Sequence, residues 1–252
     1  MPRVSVAILA RNSEDEIADC LRSVAWADER IVILDTRSTD GTASIAREFG
    51  ARVVPHDFQD FARQREFGLS LPQGDWLFYV DSDELATPAL ACEIGRVIED
   101  DTRVGWWVPR RNFIWGHEIR HGGWHPDYQL RLLRLGHAHY DLTREVHEIV
   151  ELDGPEGYLQ EPLLHYNYRT LTQFFHKQKQ YVGYEATILR NKGIHPKPWT
   201  YLLQPLREFW RRYVRLKGFK DGAHGLALCL LVAYFYGFLV TVRLARLWRG
   251  AK

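Results

Sequence analysis

The chain has 252 residues with 33 Lys and Arg against 32 Asp and Glu, so its net charge demands no nucleic-acid partner. That length suits one large α/β domain, or a domain with an appendage. Three cysteines, Cys20, Cys92 and Cys229, are odd in number and far apart; they form neither a disulfide framework nor a zinc pattern, and fit a reducing compartment.

Met1-Pro2-Arg3 leads straight into a strand-like run, with no signal-peptide apolar region before a cleavage site. Val4-Ser5-Val6-Ala7-Ile8-Leu9 reads as a buried strand. Ser13 with Glu16 three residues on predicts a capping box. The helix it opens carries Ile17, Leu21 and Val24 on one face. Ile31–Leu34 is a second strand, ending at Asp35; Thr39 or Asp40 then caps a helix running to Phe49, with Gly50 as its stop. Ala51–Val54 is a short third strand, and a helix over Phe61–Leu71 leads to a fourth at Asp75–Val80. Strands alternating with helices predict a mostly parallel sheet flanked by helices. In such sheets ligands bind beyond the carboxyl ends of the strands, where Asn12, Asp35 and Asp81 converge.

Asp81-Ser82-Asp83-Glu84 crowds three carboxylates at the tip of the fourth strand. Like charges so close repel, and a hard divalent cation relieves the repulsion. An ion held by one or two carboxylates keeps positions open for phosphate oxygens, so D-x-D predicts a metal–diphosphate site. A solvated acidic turn is the plainer alternative. Glu84 is read as a cap for a helix starting at Thr87-Pro88.

From Trp106 to Tyr168 the chain is rich in Trp, His, Arg and Gly, which predicts short strands and functional loops. Leu171–Arg190 reads as a helix, broken at Ile194–Pro198. A basic stretch follows, from Arg207 to Lys220, interleaved with Phe209, Trp210 and Tyr213. Gly225–Val242 then runs 18 residues without a formal charge, close to the length of a membrane span. Two readings stay open there: a helix buried in the protein, or an element in or on a bilayer with basic residues near anionic headgroups. The domains expected are residues 1–170, carrying the chemistry, and 171–252, helical and membrane-associating.

Five motifs in order resemble family 2 glycosyltransferases: Val4–Glu14, Asp35-Thr36-Arg37-Ser38-Thr39-Asp40-Gly41-Thr42, Gly74-Asp75-Trp76 leading to Asp81-Ser82-Asp83-Glu84, the block Arg110–Arg134, and Val146-His147-Glu148 with Leu164–Tyr168. The block around His121–Arg134 is similar to the lipopolysaccharide core β-glucosyltransferase branch. The resemblance implies a GT-A, Rossmann-like fold and inverting transfer of a sugar, glucose by that branch, from a UDP-sugar. It implies a lipid-linked envelope glycan as acceptor, Mg²⁺ or Mn²⁺ as cofactor, and a cytoplasmic enzyme peripheral at the inner membrane face. By family position Asp35 meets uracil or ribose, Asp83 binds the ion, Asp81 binds the ion or ribose, and His147 is a further ligand. Asn12 shares the crevice, Arg65 meets a phosphate, and Arg131 or Arg134 clamps the diphosphate. Asp127 stands where the family carries its catalytic base, with Pro126 in place of the usual Glu; Glu148 competes for that role. Glu66 replaces a common Asn and leaves that segment's nucleotide contact open. Trp124 and His125, beside Gly122-Gly123, suit an acceptor loop.

Two other classes share some of these features. A nucleotidyltransferase also sets metal-binding carboxylates on a parallel sheet, but it needs a Gly-rich loop after the first strand, where this chain has Ala10–Glu14. A non-catalytic carbohydrate-binding protein accounts for the aromatic residues but not for Asp35, Asp81, Asp83 and Asp127 in family order.

Overall fold

Four parallel strands form the framework that places the acidic residues: β1 (Val4–Ala10), β2 (Glu29–Asp35), β3 (Arg52–His56) and β4 (Trp76–Asp81), side by side as β3-β2-β1-β4. The computed structural model describes residues 1–142 and 149–250. Two compact units divide the chain, one within Met1–Arg110 and Asp127–His165, the other within Arg111–Pro126 and Tyr166–Lys252.

In the first unit β1 is covered on both faces. Val6 and Ile8 pack with Ile17, Leu21, Phe78 and Val80. Ala7 joins Ile31, Ile33, Leu77 and Tyr79 in a second cluster. Burial on both sides explains why these strands are continuous apolar runs rather than alternating ones. Crossover helices α1 (Ile17–Ser23), α2 (Thr42–Glu48) and α3 (Phe61–Leu69) connect them. The predicted stripe of Ile17, Leu21 and Val24 is fully buried. The predicted capping box is not made: α1 has no side-chain cap. The Ser13 N–H instead donates to Thr42 Oγ1 at 2.7 Å, and its hydroxyl lies 2.9 Å from that of Ser82. Ser13 therefore ties together the loops after β1, β2 and β4, which a local helix signal could not disclose. Thr87 does cap α4 (Pro88–Val97), accepting from the Leu90 N–H.

The remaining strands are β5 (Glu84–Ala86), β6 (Gly105–Ile114), β7 (His117–Ile119), β8 (Tyr128–Arg134), β9 (Ala138–Tyr140), β10 (Val150–Leu152), β11 (Glu156–Tyr158) and β12 (Leu163–Tyr168). β8 runs antiparallel between β4 and β6, and β12 pairs antiparallel with β5. Among the described residues the order is β3-β2-β1-β4-β8-β6-β12-β5. The sheet is thus mixed: β1 to β4 are parallel, β11 joins β6 in parallel, and β8 and the β5–β12 pair are antiparallel.

In the second unit a capping box of Thr170 and Gln173 opens α5 (Leu171–Asn191). Phe174, Gln178, Val182 and Ala186 recur every four residues as its buried face. Then come α6 (Thr200–Phe209), a π-helical segment (Trp210–Arg215), a 3₁₀ turn (Gly218–Asp221), α7 (Gly222–Val232), a second π-helical segment (Ala233–Leu239) and α8 (Val240–Arg249). Gly218–Arg249 is the one helical run among the described residues long and apolar enough to cross a membrane. Its inward side chains, Leu228, Val232, Phe235, Val240 and Leu244, form a core with Phe174, Val182 and Ala186 of α5. Trp124, expected in an acceptor loop, packs against this core, and its carbonyl accepts from Asn112 Nδ2 at 3.0 Å.

Candidate active site

The carboxyl ends of β1, β2 and β4 meet, as the sheet type requires. Asn12 has a positive φ of 48°. Its N–H donates to Ser38 Oγ and its Oδ1 accepts from the Thr39 N–H, both at 2.9 Å. Asn12 therefore clasps the loop after β1 to the loop after β2. Asp40 serves that same clasp, accepting from the N–H groups of Glu14 at 3.0 Å and Thr42 at 3.1 Å.

Asp35 ends β2 almost wholly buried. It accepts from the Arg37 backbone N–H at 3.0 Å and from Arg37 Nη2 at 2.7 Å, with Arg11 Nε at 3.6 Å. The Arg37 side-chain bonds hold its carboxyl below the usual range, and this outweighs burial, which acts the other way.

At the end of β4 three arginines and three carboxylates alternate. Arg65 Nη2 donates to Asp81 Oδ1 at 2.9 Å. Arg131 donates to Asp81 Oδ2 and lies 3.6 Å from Glu84. Arg110 Nη1 donates to Glu84 at 3.1 Å, while its Nε and Nη2 grip both oxygens of Asp127 at 2.9 and 3.1 Å. Gln129 Nε2 adds a further bond to Asp127 at 2.9 Å. Glu84 is fully enclosed, so it is no helix cap; it accepts the Asp81 N–H at 2.9 Å and stands at the centre of the chain of charges. Burial would raise the Asp81 carboxyl, but Arg131 and then Arg65 overcome it and hold the group well below the carboxylate range.

These pairings revise the simplest reading of D-x-D. The crowding at this strand end is relieved first by guanidinium groups, and both Asp81 oxygens are engaged by them. Asp83, two residues on, has His165 Nε2 of β12 at 3.6 Å from its Oδ1. Among the described residues no three His, Cys, Asp or Glu side chains gather as a metal cluster. One carboxylate with a neighbouring imidazole still fits a Mg²⁺ or Mn²⁺ ion that takes most of its ligands from phosphate and water. His147 and Glu148 lie outside the described residues.

Two further expectations change. Arg134 pairs with Trp76 at the start of β4, five residues or about 17 Å of strand from Asp81. There it bonds Asp101 and lines a cavity of about 440 Å³ with Met1, Gly74 and Asp75, at the wrong edge of the sheet for a diphosphate. The strand period explains the error: Arg131 and Arg134 are three apart, so they also take opposite faces. Glu66 accepts the Tyr140 N–H at 2.7 Å, so its carboxylate secures β9 while Arg65 serves the site.

Sequence reasoning overlooked Arg110 as the holder of Asp127, the enclosed role of Glu84, and His165. Alternation along β12 offered a signal for the last. Leu163, His165 and Tyr168 are buried and Leu164, Tyr166 and Asn167 are less so, which makes His165 a polar residue at an inward position.

The model of "Glycosyl transferase family 2" matches residues 5–163. The chain is 28% identical over 244 residues to the lipopolysaccharide core biosynthesis glycosyltransferase LpsC of Rhizobium meliloti (strain 1021), covering 91% of this chain and 90% of that one. It is 32% identical over 94 residues to an uncharacterized glycosyltransferase of Rickettsia typhi, covering 37% of this chain and 32% of that one. Among solved structures, glucosyl-3-phosphoglycerate synthase from Mycobacterium tuberculosis is 24% identical over 46% of this chain, with a TM-score of 0.37. The chain spans under half of that structure's length. The matched stretch takes in the Asn12 clasp, the D-x-D strand end and Asp127, and runs almost to His165: the chain belongs to glycosyl transferase family 2.

Proposed function

We propose that the protein is a metal-dependent, inverting hexosyltransferase that moves glucose from a UDP-sugar to a lipid-linked glycan such as a lipopolysaccharide inner core. The observation that carries this reading is the pair Asp127–Arg110 joined through Glu84 to Asp81, beside Asp83 and its neighbour His165. Support for the acceptor comes from the similarity to LpsC along nearly the whole chain. The enzyme works at the cytoplasmic face of the membrane, where such an acceptor is assembled.

In this reading Asp127 is the base. Inversion by single displacement needs one carboxylate to take the proton of the acceptor hydroxyl as its oxygen attacks the anomeric carbon. Arg110 fixes the plane of that carboxylate by a two-point grip. Asp83, with His165, holds Mg²⁺ or Mn²⁺. When bound, the ion neutralises charge on the departing diphosphate. Asp81 positions Arg65 and Arg131, whose cations face the same negative charge. Asp35 and its arginines receive the nucleoside end.

A panel of UDP-, GDP- and TDP-sugars with Mn²⁺, scored by nucleotide release, tests this. Release from one UDP-sugar is expected, lost with chelator and in Asp83→Ala. Metal-independent release, or no binding of any nucleotide-sugar, contradicts it.

A further inference from the structure

The second unit turns one apolar stripe outward. Trp199, Leu202, Leu203, Leu206, Trp210 and Val214 are 47–65% exposed, and α6 buries no residue. At helical spacing of three, four and seven these six fall on one side of α6 and the π-helical segment after it. The other side is the one held by protein. A Cβ on Gly237 would come within 2.4 Å of Pro205 Cα, so that approach admits only glycine. Arg212 Nη1 donates to the Gly122 carbonyl at 2.9 Å, and Glu208 pairs with Arg211 and Arg212. A soluble helix would show the reverse arrangement, with its apolar stripe inside.

Charge says what covers the stripe. Residues 192–220 hold eight Lys and Arg against one Glu, and that Glu is ion-paired within the helix. Arg207 and Arg215 are exposed on the flank of the stripe. An apolar stripe that carries two tryptophans and is flanked by cations matches a helix lying in the plane of an anionic bilayer surface. A protein partner of ordinary composition would not call for seven uncompensated positive charges.

We infer that residues 199–215 are an in-plane membrane-docking helix, whose partner is the surface of an anionic phospholipid bilayer. The chain docks through this stripe and does not cross the bilayer with Gly218–Arg249. That longer run supplies the core of its own unit through Leu228, Val232, Phe235, Val240 and Leu244. Pulling it into lipid would strip α5 of the partners of Phe174 and Val182.

The inference deepens the membrane-side placement proposed above, and its test needs neither donor nor acceptor, so either reading can fail alone. Full-length protein is sedimented with vesicles of phosphatidylcholine, with and without phosphatidylglycerol. Binding is expected only with phosphatidylglycerol, weakening as salt rises. The double variant Leu202→Glu, Leu206→Glu should bind at least about tenfold more weakly. Its melting temperature should match the parent, because neither side chain is buried. Leu230→Glu, on the exposed side of α7, should bind vesicles like the parent. Undiminished binding by the double variant overturns the proposal. So does binding lost only in Leu230→Glu, which would mark Gly218–Arg249 as the lipid contact. So does a parent that ignores vesicles and forms a dimer that the double variant dissolves.

Discussion

The two units place charge and apolar surface in opposite ways. The first buries ions: Glu84 is enclosed, Arg65 and Arg131 are almost so, and an apolar double layer surrounds them. The second buries an ordinary apolar core and exposes a tryptophan- and leucine-rich helix face. Buried ions are costly unless each has its partner, so the first unit makes sense as a built electrostatic site. An exposed apolar stripe is costly unless something covers it, so the second makes sense as a surface with a partner. In the proposed reading one unit receives a charged ligand and the other meets an interface.

Breaking the alternation of charges should have the largest effect on stability. Arg131→Met leaves Asp81 and Glu84 short of a cation and should cost about 3–5 kcal/mol, read by urea denaturation. Arg207→Met, an exposed cation of the second unit, should change stability by less than about 0.5 kcal/mol. Equal costs would erase the contrast between the units.

Next in size is packing behind the site. An ideal Cβ on Gly68 would lie 2.4 Å from Tyr79 Oη and 2.8 Å from Ile33 Cδ1. Tyr79 also donates to the Arg65 carbonyl, so Gly68→Ala should cost about 1–3 kcal/mol and weaken donor binding through Arg65. Unchanged donor affinity would separate Arg65 from the site. Glu66→Gln should cost about 1 kcal/mol at most and leave donor affinity alone, since its contact is to β9.

Acid titration sharpens the same contrast. Asp81 is depressed in the folded protein, so its contribution is present above the unfolded value of about 3.9 and is lost as pH falls through the folded value. Arg131→Met raises the folded value and should start acid unfolding at higher pH. In the second unit, hydrogen bonds from Arg111 and then Arg120 push Glu118 down to about 2. Its contribution is therefore lost between the ordinary glutamate range and about pH 2, and the exposed arginines make it slight. Carboxyl NMR of Arg111→Ala should show Glu118 titrating closer to an ordinary glutamate.

Much of the framework was legible because β1, β2 and β4 are continuous apolar runs ending in polar residues, and Thr87-Pro88 caps a helix by purely local chemistry. Antiparallel β6 and β8 were not, because nothing in Gly105–Ile114 or Tyr128–Arg134 says which strand they join. The same gap misplaced Arg134: only the register Trp76↔Arg134 tells which end of β4 it meets. Residues Arg111–Pro126 belong with the C-terminal unit, which no shift in composition marks. Asp81 and Asp83 look equivalent in D-x-D, yet Asp81 ends β4 and meets arginines, while Asp83 lies in the turn before β5 and meets His165.

The proposed mechanism turns on the Arg110 grip that holds Asp127 as the base of sugar transfer. The most direct test is Asp127→Asn, assayed for transfer from the UDP-sugar that the parent uses, alongside donor affinity by calorimetry. Transfer should fall by about 10²–10⁴-fold with donor affinity retained. Full transfer by Asp127→Asn would contradict it and move the base to Glu148.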